Sequence, residues 1–256
     1  MTAAEAYAPP RSLAAKVQRR LTQWRAAHLA HLVFDRPILS VCFDDFPRSA
    51  ATHGAPILER YSGRGTFYAS ADLALKDGPC GPGFSADDLA RLHRAGHEIG
   101  CHTFSHSDCA RMRAYDVLVD IARNRDALAQ MGHAAPLRTL AYPYGETSPA
   151  LKAALPPRLG SARGIQPGLN AGRTDLAQLR AYALFGDGLA RAHRALERGA
   201  RANAWVIAFT HDVADAPSPW GTHMEDFRAF IVRARDAGFM LAPVSAALER
   251  TIHAAH

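Results

Sequence analysis

Read for its alternation of apolar and polar positions, the chain is a succession of short apolar runs separated by stretches of helical spacing. The run Pro37 to Phe43 has the length and β-branched content of a buried strand. Similar runs recur at 65–73, 97–102, 137–145, 178–186, 205–213 and 238–244, each ending near Gly, Pro or polar residues. Between them, 84–96 opens with Ser85 as a candidate N-cap and closes on Gly96. The stretch 110–132 closes on Gly132, and 186–201 and 224–238 repeat the helical pattern. Strand and helix in alternation predict a parallel sheet with crossover helices, open or closed into a barrel. A chain of 256 residues fits one domain of that kind, and no repeat, low-complexity tract or linker interrupts it.

Ahead of the first strand the pattern changes. In RSLAAKVQRRLTQWRAAHLAHLVF, Leu13, Val17, Leu21, Trp24, His28 and Leu32 form one stripe, and Lys16, Arg19, Arg20 and Arg25 lie largely off it. This predicts a basic amphipathic helix within an N-terminal extension, residues 1–36, added to a main domain over 37–256. Packing on the domain or pairing in a homodimer is the first expectation. The alternative is peripheral contact with an anionic membrane face through residues 11–33.

Charge adds to this picture. Lys and Arg total 30 against 24 Asp and Glu, and residues 1–36 carry four of the six net positive charges. A basic excess concentrated there, without a basic aromatic-rich face, argues against a nucleic-acid partner. Four cysteines without a C-x-x-C pair predict free thiols in a reducing compartment. With no secretory leader and no long apolar run, the expected location is cytoplasmic, peripheral at the inner membrane face if the helix binds lipid.

The unusual polar residues cluster where predicted strands end, the edge at which α/β folds gather active groups: Asp44-Asp45, His102 with His106, Tyr142-Pro143-Tyr144-Gly145, and His211-Asp212. His102 and His106 stand at i, i+4, so one helical turn would align their imidazoles. Two histidines and a carboxylate make a three-ligand catalytic zinc site, with Asp45 as the candidate third ligand. Two adjacent carboxylates would repel unless a cation relieves one, which leaves Asp44 as a base beside it. The plainer alternatives are a pair of acids starting a helix near Ser49 and a chance pair of histidines.

Taken in order, these residues resemble the polysaccharide deacetylases with a NodB-type homology domain, carbohydrate esterase family 4, from about residue 38 to 247. Cys42-Phe43-Asp44-Asp45-Phe46 resembles the family's Thr-Phe-Asp-Asp-Gly. His102-Thr103-Phe104-Ser105-His106 matches His-(Ser/Thr)-x-x-His behind a family-like GHEIG. Ala141-Tyr142-Pro143-Tyr144-Gly145 stands for Arg-x-Pro-Tyr-Gly, and Phe209-Thr210-His211 for the last motif. The resemblance implies a distorted barrel of about seven βα units and a divalent metal, most simply zinc, on Asp45, His102 and His106. It implies Asp44 as general base, His211 as general acid, the backbone N–H of Tyr144 as oxyanion donor and Pro143 at the substrate. Two departures stand out: Ala141 lacks the arginine that tunes the base, so the setting of Asp44 must differ or be supplied by another cation, and Phe46 in place of glycine would narrow or reshape the groove.

The implied activity is removal of N-acetyl groups from N-acetylglucosamine units of an exopolysaccharide, holdfast-type material included, or of its lipid-linked precursor. A deformylase or amidohydrolase acting on a small amide is one alternative. A non-catalytic carbohydrate-binding or assembly protein, suggested by Ala141, is another. Trp220 could form a sugar-stacking wall or simply pack. His97 is expected beneath the site and His93 on an exposed helix face. Asp212 and Asp175 either orient His211 or are solvated, and Cys42 and Cys101 are expected to be buried small hydrophobes.

Overall fold

The computed structural model describes residues 12–251. Its centre is an eight-stranded parallel sheet, curled into a distorted barrel. In chain order the strands are β1 Ile38–Phe43, β2 Thr66–Ala69, β3 Glu98–Cys101, β4 Thr139–Ala141, β5 Ser161–Arg163, β6 Tyr182–Ala183, β7 Trp205–Thr210 and β8 Met240–Leu241. They lie in the order β6-β7-β1-β2-β3-β4-β5, and β8 pairs with the start of β1. The two ends of this order approach each other, because Leu179, just ahead of β6, bridges to Arg163 of β5, while Tyr182 of β6 pairs with Ala208 of β7.

Six of these strands fall inside the predicted apolar runs, as does β8 at its far end. β5 was not anticipated, since Gly160-Ser-Ala-Arg-Gly164 has no apolar run. Every residue of β1 is buried, so both of its faces meet core. Leu39, Val41 and Phe43 face the helices. Ile38 and Cys42 face the barrel interior together with Tyr68, Ala141, Trp205, Ile207 and Phe209. Alternation therefore aims the next even position, Asp44, into that interior.

Helix α1 is Leu13–Trp24, α2 Ala55–Arg60, α3 Ala86–Arg94, α4 Ala114–Gln130, α5 Pro149–Ala154, α6 Gly188–Ala202, α7 Met224–Asp236 and α8 Val244–Glu249. Four helices, α3, α4, α6 and α7, match their sequence signals, and the short α2, α5 and α8 were not anticipated. Ser85 caps α3 reciprocally with Asp88, and Gly96 and Gly132 adopt positive φ just beyond α3 and α4.

The amino-terminal stripe departs from expectation in two ways. The helix ends at Trp24, and Leu29–Leu32 instead form a strand antiparallel to Gly172–Asp175. Asp175 captures the backbone N–H groups of Ala27 and His28, which favours this exit over another helical turn. Moreover, α1 docks through its polar side. The fully buried Lys152 ammonium donates to the Thr22 carbonyl at 2.9 Å and pairs with Asp175 at 2.8 Å, and Arg19 pairs with Glu146 at 2.5 Å. Arg11 lies outside the described residues.

Burial opposes the ionised form of Asp175, but Lys152 and the backbone donors outweigh it and hold the carboxyl below its ordinary 3.8. This anchor therefore acts fully above that value and is lost as pH falls through the lower folded pKa. Replacing Lys152 by Ala is expected to lower stability by about 3 kcal/mol, by leaving Asp175 unpaired. Urea unfolding checks the loss, and faster proteolysis ahead of residue 29 is expected alongside it.

Candidate active site at the carboxyl edge of the sheet

Three of the four motifs leave the sheet on one further parallel hydrogen bond. Asp44 N–H donates to the Thr210 carbonyl, His102 N–H to Ala69 and Tyr142 N–H to Arg163, so the strands themselves set the height of the site. Beyond that point the backbone turns left-handed at five non-glycine residues: Asp45 (φ 54°), Phe46 (φ 48°), Thr103 (φ 60°), His106 (φ 50°) and Tyr144 (φ 58°). Such conformations cost about 1–3 kcal/mol each and persist only where the surroundings enforce them.

The enforcement is visible. Phe46 is fully buried, stacked on Phe84 at 4.6 Å and edge-on to Phe67 at 5.1 Å. It belongs to the core and does not reshape the groove as expected; its ring burial offsets the strain that a glycine would avoid. Nor is His102 to His106 a helical turn. Asp120 of α4 accepts the N–H groups of Phe104 and Ser105 at 2.9 and 3.0 Å and pins the loop in a non-helical form. The two imidazoles still converge, with ring centroids 5.0 Å apart.

The break at Asp45 sends the two acids opposite ways. Asp45 turns to the histidines, its Oδ1 lying 2.9 Å from His106 Nε2 and 3.3 Å from His102 Nε2. Burial opposes its ionisation, but the facing imidazoles prevail and hold the carboxyl well below the usual carboxylate range. His102 Nδ1–H donates to the Ala141 carbonyl at 2.7 Å, which orients the ring and turns its Nε2 toward Asp45. Asp45 Oδ1 is buried without a hydrogen-bond donor, and one ligand atom from each of the three residues falls within 4.8 Å of the others. One carboxylate oxygen and two imidazole nitrogens converging in this way fit a divalent cation, and that donor set suits zinc.

Asp44 instead enters the barrel and forms an ion pair with Arg163 of β5. Arg163 is buried, lies 5.0 Å over the rings of Tyr68 and Phe209, and also donates to the Gly164 carbonyl. Burial alone would lower its pKa, but Asp44 more than compensates and keeps the guanidinium charged. Ala141 and Arg163 are register partners on β4 and β5, so they face the same side of the sheet. The cation absent from 141 thus comes from the adjacent strand at the same level. The sequence left open either an altered setting for Asp44 or another cation, and did not single out Arg163; an arginine between glycines, in a stretch too short and polar to read as a strand, was the available signal.

His211 stands at the rim. Its Nδ1–H donates to the Trp220 carbonyl at 3.1 Å, and its Nε2 is 3.9 Å from Asp45 Oδ2. Neither suggested acid orients it. Asp212 is buried and holds the following loop through Ser218 N–H and Oγ, and Asp175 anchors the amino-terminal segment. Trp220 is 41% exposed beside His211, and the Tyr144 ring lies 4.7 Å from that of His106 across Pro143-Tyr144-Gly145. His97 lies buried away from the ligands, accepting Gly65 N–H and facing Glu59, and His93 is exposed. Burial pushes the Cys42 and Cys101 thiols up to about 12 and about 11, as suits inert core residues.

Removing Arg163 leaves a buried carboxylate uncompensated. Arg163→Met is expected to cost about 3–5 kcal/mol of stability, and adding Asp44→Asn to return part of it. A urea-unfolding double-mutant cycle measures the coupling, and additive losses would contradict the pairing.

Residues 33–156 match the polysaccharide deacetylase family, a span just under half of the chain that ends before Arg163 and His211. No curated protein matches the sequence. Among solved structures the chain is similar to the T48 deacetylase determined with substrate, at 18% identity and TM-score 0.59, covering 85% of this chain and 93% of that one. It is similar to the peptidoglycan deacetylase PdaC from Bacillus subtilis, at 18% identity and TM-score 0.54, covering 84% and 91%. BA3943 from Bacillus anthracis, a family 4 carbohydrate esterase pseudoenzyme, shares 12% identity at TM-score 0.56, covering 86% and 68%. At these identities the likeness speaks to the fold. The match over residues 33–156 supports a polysaccharide deacetylase domain, and the fold is the one shared by solved deacetylases and family 4 carbohydrate esterases.

Proposed function

We propose that the protein is a metal-dependent N-deacetylase acting on N-acetylglucosamine-type units of an exopolysaccharide or its lipid-linked precursor. The observation that carries this reading is the division of labour between the adjacent acids, Asp45 among His102 and His106 and Asp44 on Arg163. In it, Asp45, His102 and His106 hold a divalent ion, most simply zinc. When bound, that ion supplies Lewis-acid polarisation of the acetyl carbonyl and a water of lowered pKa.

The chain's own residues supply the rest. Asp44, held in its charged setting by Arg163, takes the proton of the attacking water. The backbone N–H of Tyr144 donates to the oxyanion of the tetrahedral intermediate, with Pro143 shaping the turn beside it. His211, its Nδ1–H held by the Trp220 carbonyl, acts in its imidazolium form and gives the Nε2 proton to the departing amine, so that the C–N bond breaks with release of acetate and a free amino sugar. Trp220 offers an exposed aromatic face for a pyranose ring. The non-catalytic alternative drew on Ala141, and Arg163 removes that argument by returning the cation to the base.

The test is acetate release from N-acetylglucosamine oligosaccharides by the purified protein. Release is expected to stop on chelation, return with zinc, and fall about 10²–10⁴-fold in Asp44→Asn. His106→Ala should lose bound zinc in elemental analysis. Turnover of small amides but not of oligosaccharides would favour a small-amide hydrolase, and tight oligosaccharide binding without acetate release would favour a binding protein.

A further inference from the structure

Helix α1 is mounted against the usual sense of an amphipathic helix. Its polar side is spent on the barrel, through Thr22 to Lys152 and Arg19 to Glu146, while Leu13, Val17, Leu21 and Trp24 remain 80%, 58%, 50% and 76% exposed. Single exposed apolar residues are ordinary, but four on successive turns of one helix make a contiguous patch that calls for a partner.

The surface beside the patch is strongly basic. Trp24 and Leu29 line a cleft of about 370 Å³ with Arg173 and Arg180. The Arg180 side chain lies against Gly168, which lines a neighbouring cleft of about 570 Å³ with Arg191, Arg194 and Arg198 of α6. Glu197, in the same cleft, is neutralised by Arg233 at 2.5 Å. Neither Arg191 nor Arg194 has an acidic partner within 4.0 Å among the described residues. Residues 11–34 contain no acid at all.

We infer that this face, the apolar stripe of α1 flanked by the arginine-lined clefts, is a docking surface for a bilayer carrying anionic phospholipid headgroups. Apolar side chains at headgroup depth, a tryptophan at the end of the stripe and cations alongside are what an interfacial helix presents to such a membrane. Charge selects this occupant over a second copy. A two-fold dimer joins the same patch on both subunits, which would set these arginines against each other, whereas an anionic surface neutralises them. The inference stands apart from the proposed reaction, since none of these residues belongs to the site at Asp45.

The experiment is flotation of the intact protein with phosphatidylcholine vesicles, with and without phosphatidylglycerol. Leu21→Ser/Trp24→Ser and Arg191→Glu/Arg194→Glu variants are run in parallel, each checked for an unchanged thermal midpoint. Flotation with the anionic vesicles alone is expected, weakening as salt is raised. Partitioning should fall about tenfold or more in each variant. No flotation of the intact protein, equal flotation with neutral vesicles, or flotation indifferent to both variants would each overturn the proposal. So would a dimer in light scattering that Leu21→Ser/Trp24→Ser dissolves while vesicles are ignored.

Discussion

The ion pair between Arg163 and Asp44 is the interaction on which the site depends. Two neighbouring carboxylates at the end of a fully buried strand are an unfavourable arrangement, since each repels the other and both lose water. The pair settles half of that problem inside the barrel, where the guanidinium is wedged over Tyr68 and Phe209. With Asp44 held there, the left-handed break at Asp45 and Phe46 can swing the second acid out to His102 and His106 without bringing two bare charges together. Burial of Phe46 holds the break in place. The chemical asymmetry of the two acids thus follows from one interior cation and one turn of backbone.

The same logic explains why the site tolerates so much strain. Four of the five left-handed residues lie within two positions of the last ladder hydrogen bond of a strand, and neighbouring elements constrain the loops: aromatic stacking behind Phe46, the Asp120 carboxylate beneath the histidine loop. Rigid strands fix the height of the groups, and strained loops set their direction. A small displacement of α4 would therefore be felt at His106 through Asp120, although α4 carries none of the candidate ligands.

What could be read in advance divides along physical lines. Apolar runs and glycine stops located the central strands and the main helices because burial and capping are local in sequence. The candidate ligands were legible because a carboxylate and two imidazoles at strand ends are chemically conspicuous. Arg163 was not, because its role depends on β4 and β5 being neighbours in register, a fact of topology, and because Ser161-Ala162-Arg163 has no strand pattern of its own. The direction of Phe46 was missed for a related reason: substitution of a glycine says that the turn is strained, not which cavity receives the ring. For α1 the stripe was legible and its orientation was not, since Lys152 and Glu146, far along the chain, decide which side docks.

The place of Arg163 bears on how departures in this fold should be weighed. What the interior demands is a positive charge at a given height opposite Asp44, and either of two adjacent parallel strands can deliver it, because register partners project to the same side. With alanine at 141, the interior has room for the guanidinium from 163; with arginine at both, two cations would crowd one carboxylate in a closed space, at a high desolvation cost. The two arrangements are therefore exclusive, and loss of the arginine from its usual strand argues against activity only where the partner strand lacks one too. In a fold that also includes a pseudoenzyme, the informative question is whether the buried carboxylate is compensated, not which position compensates it.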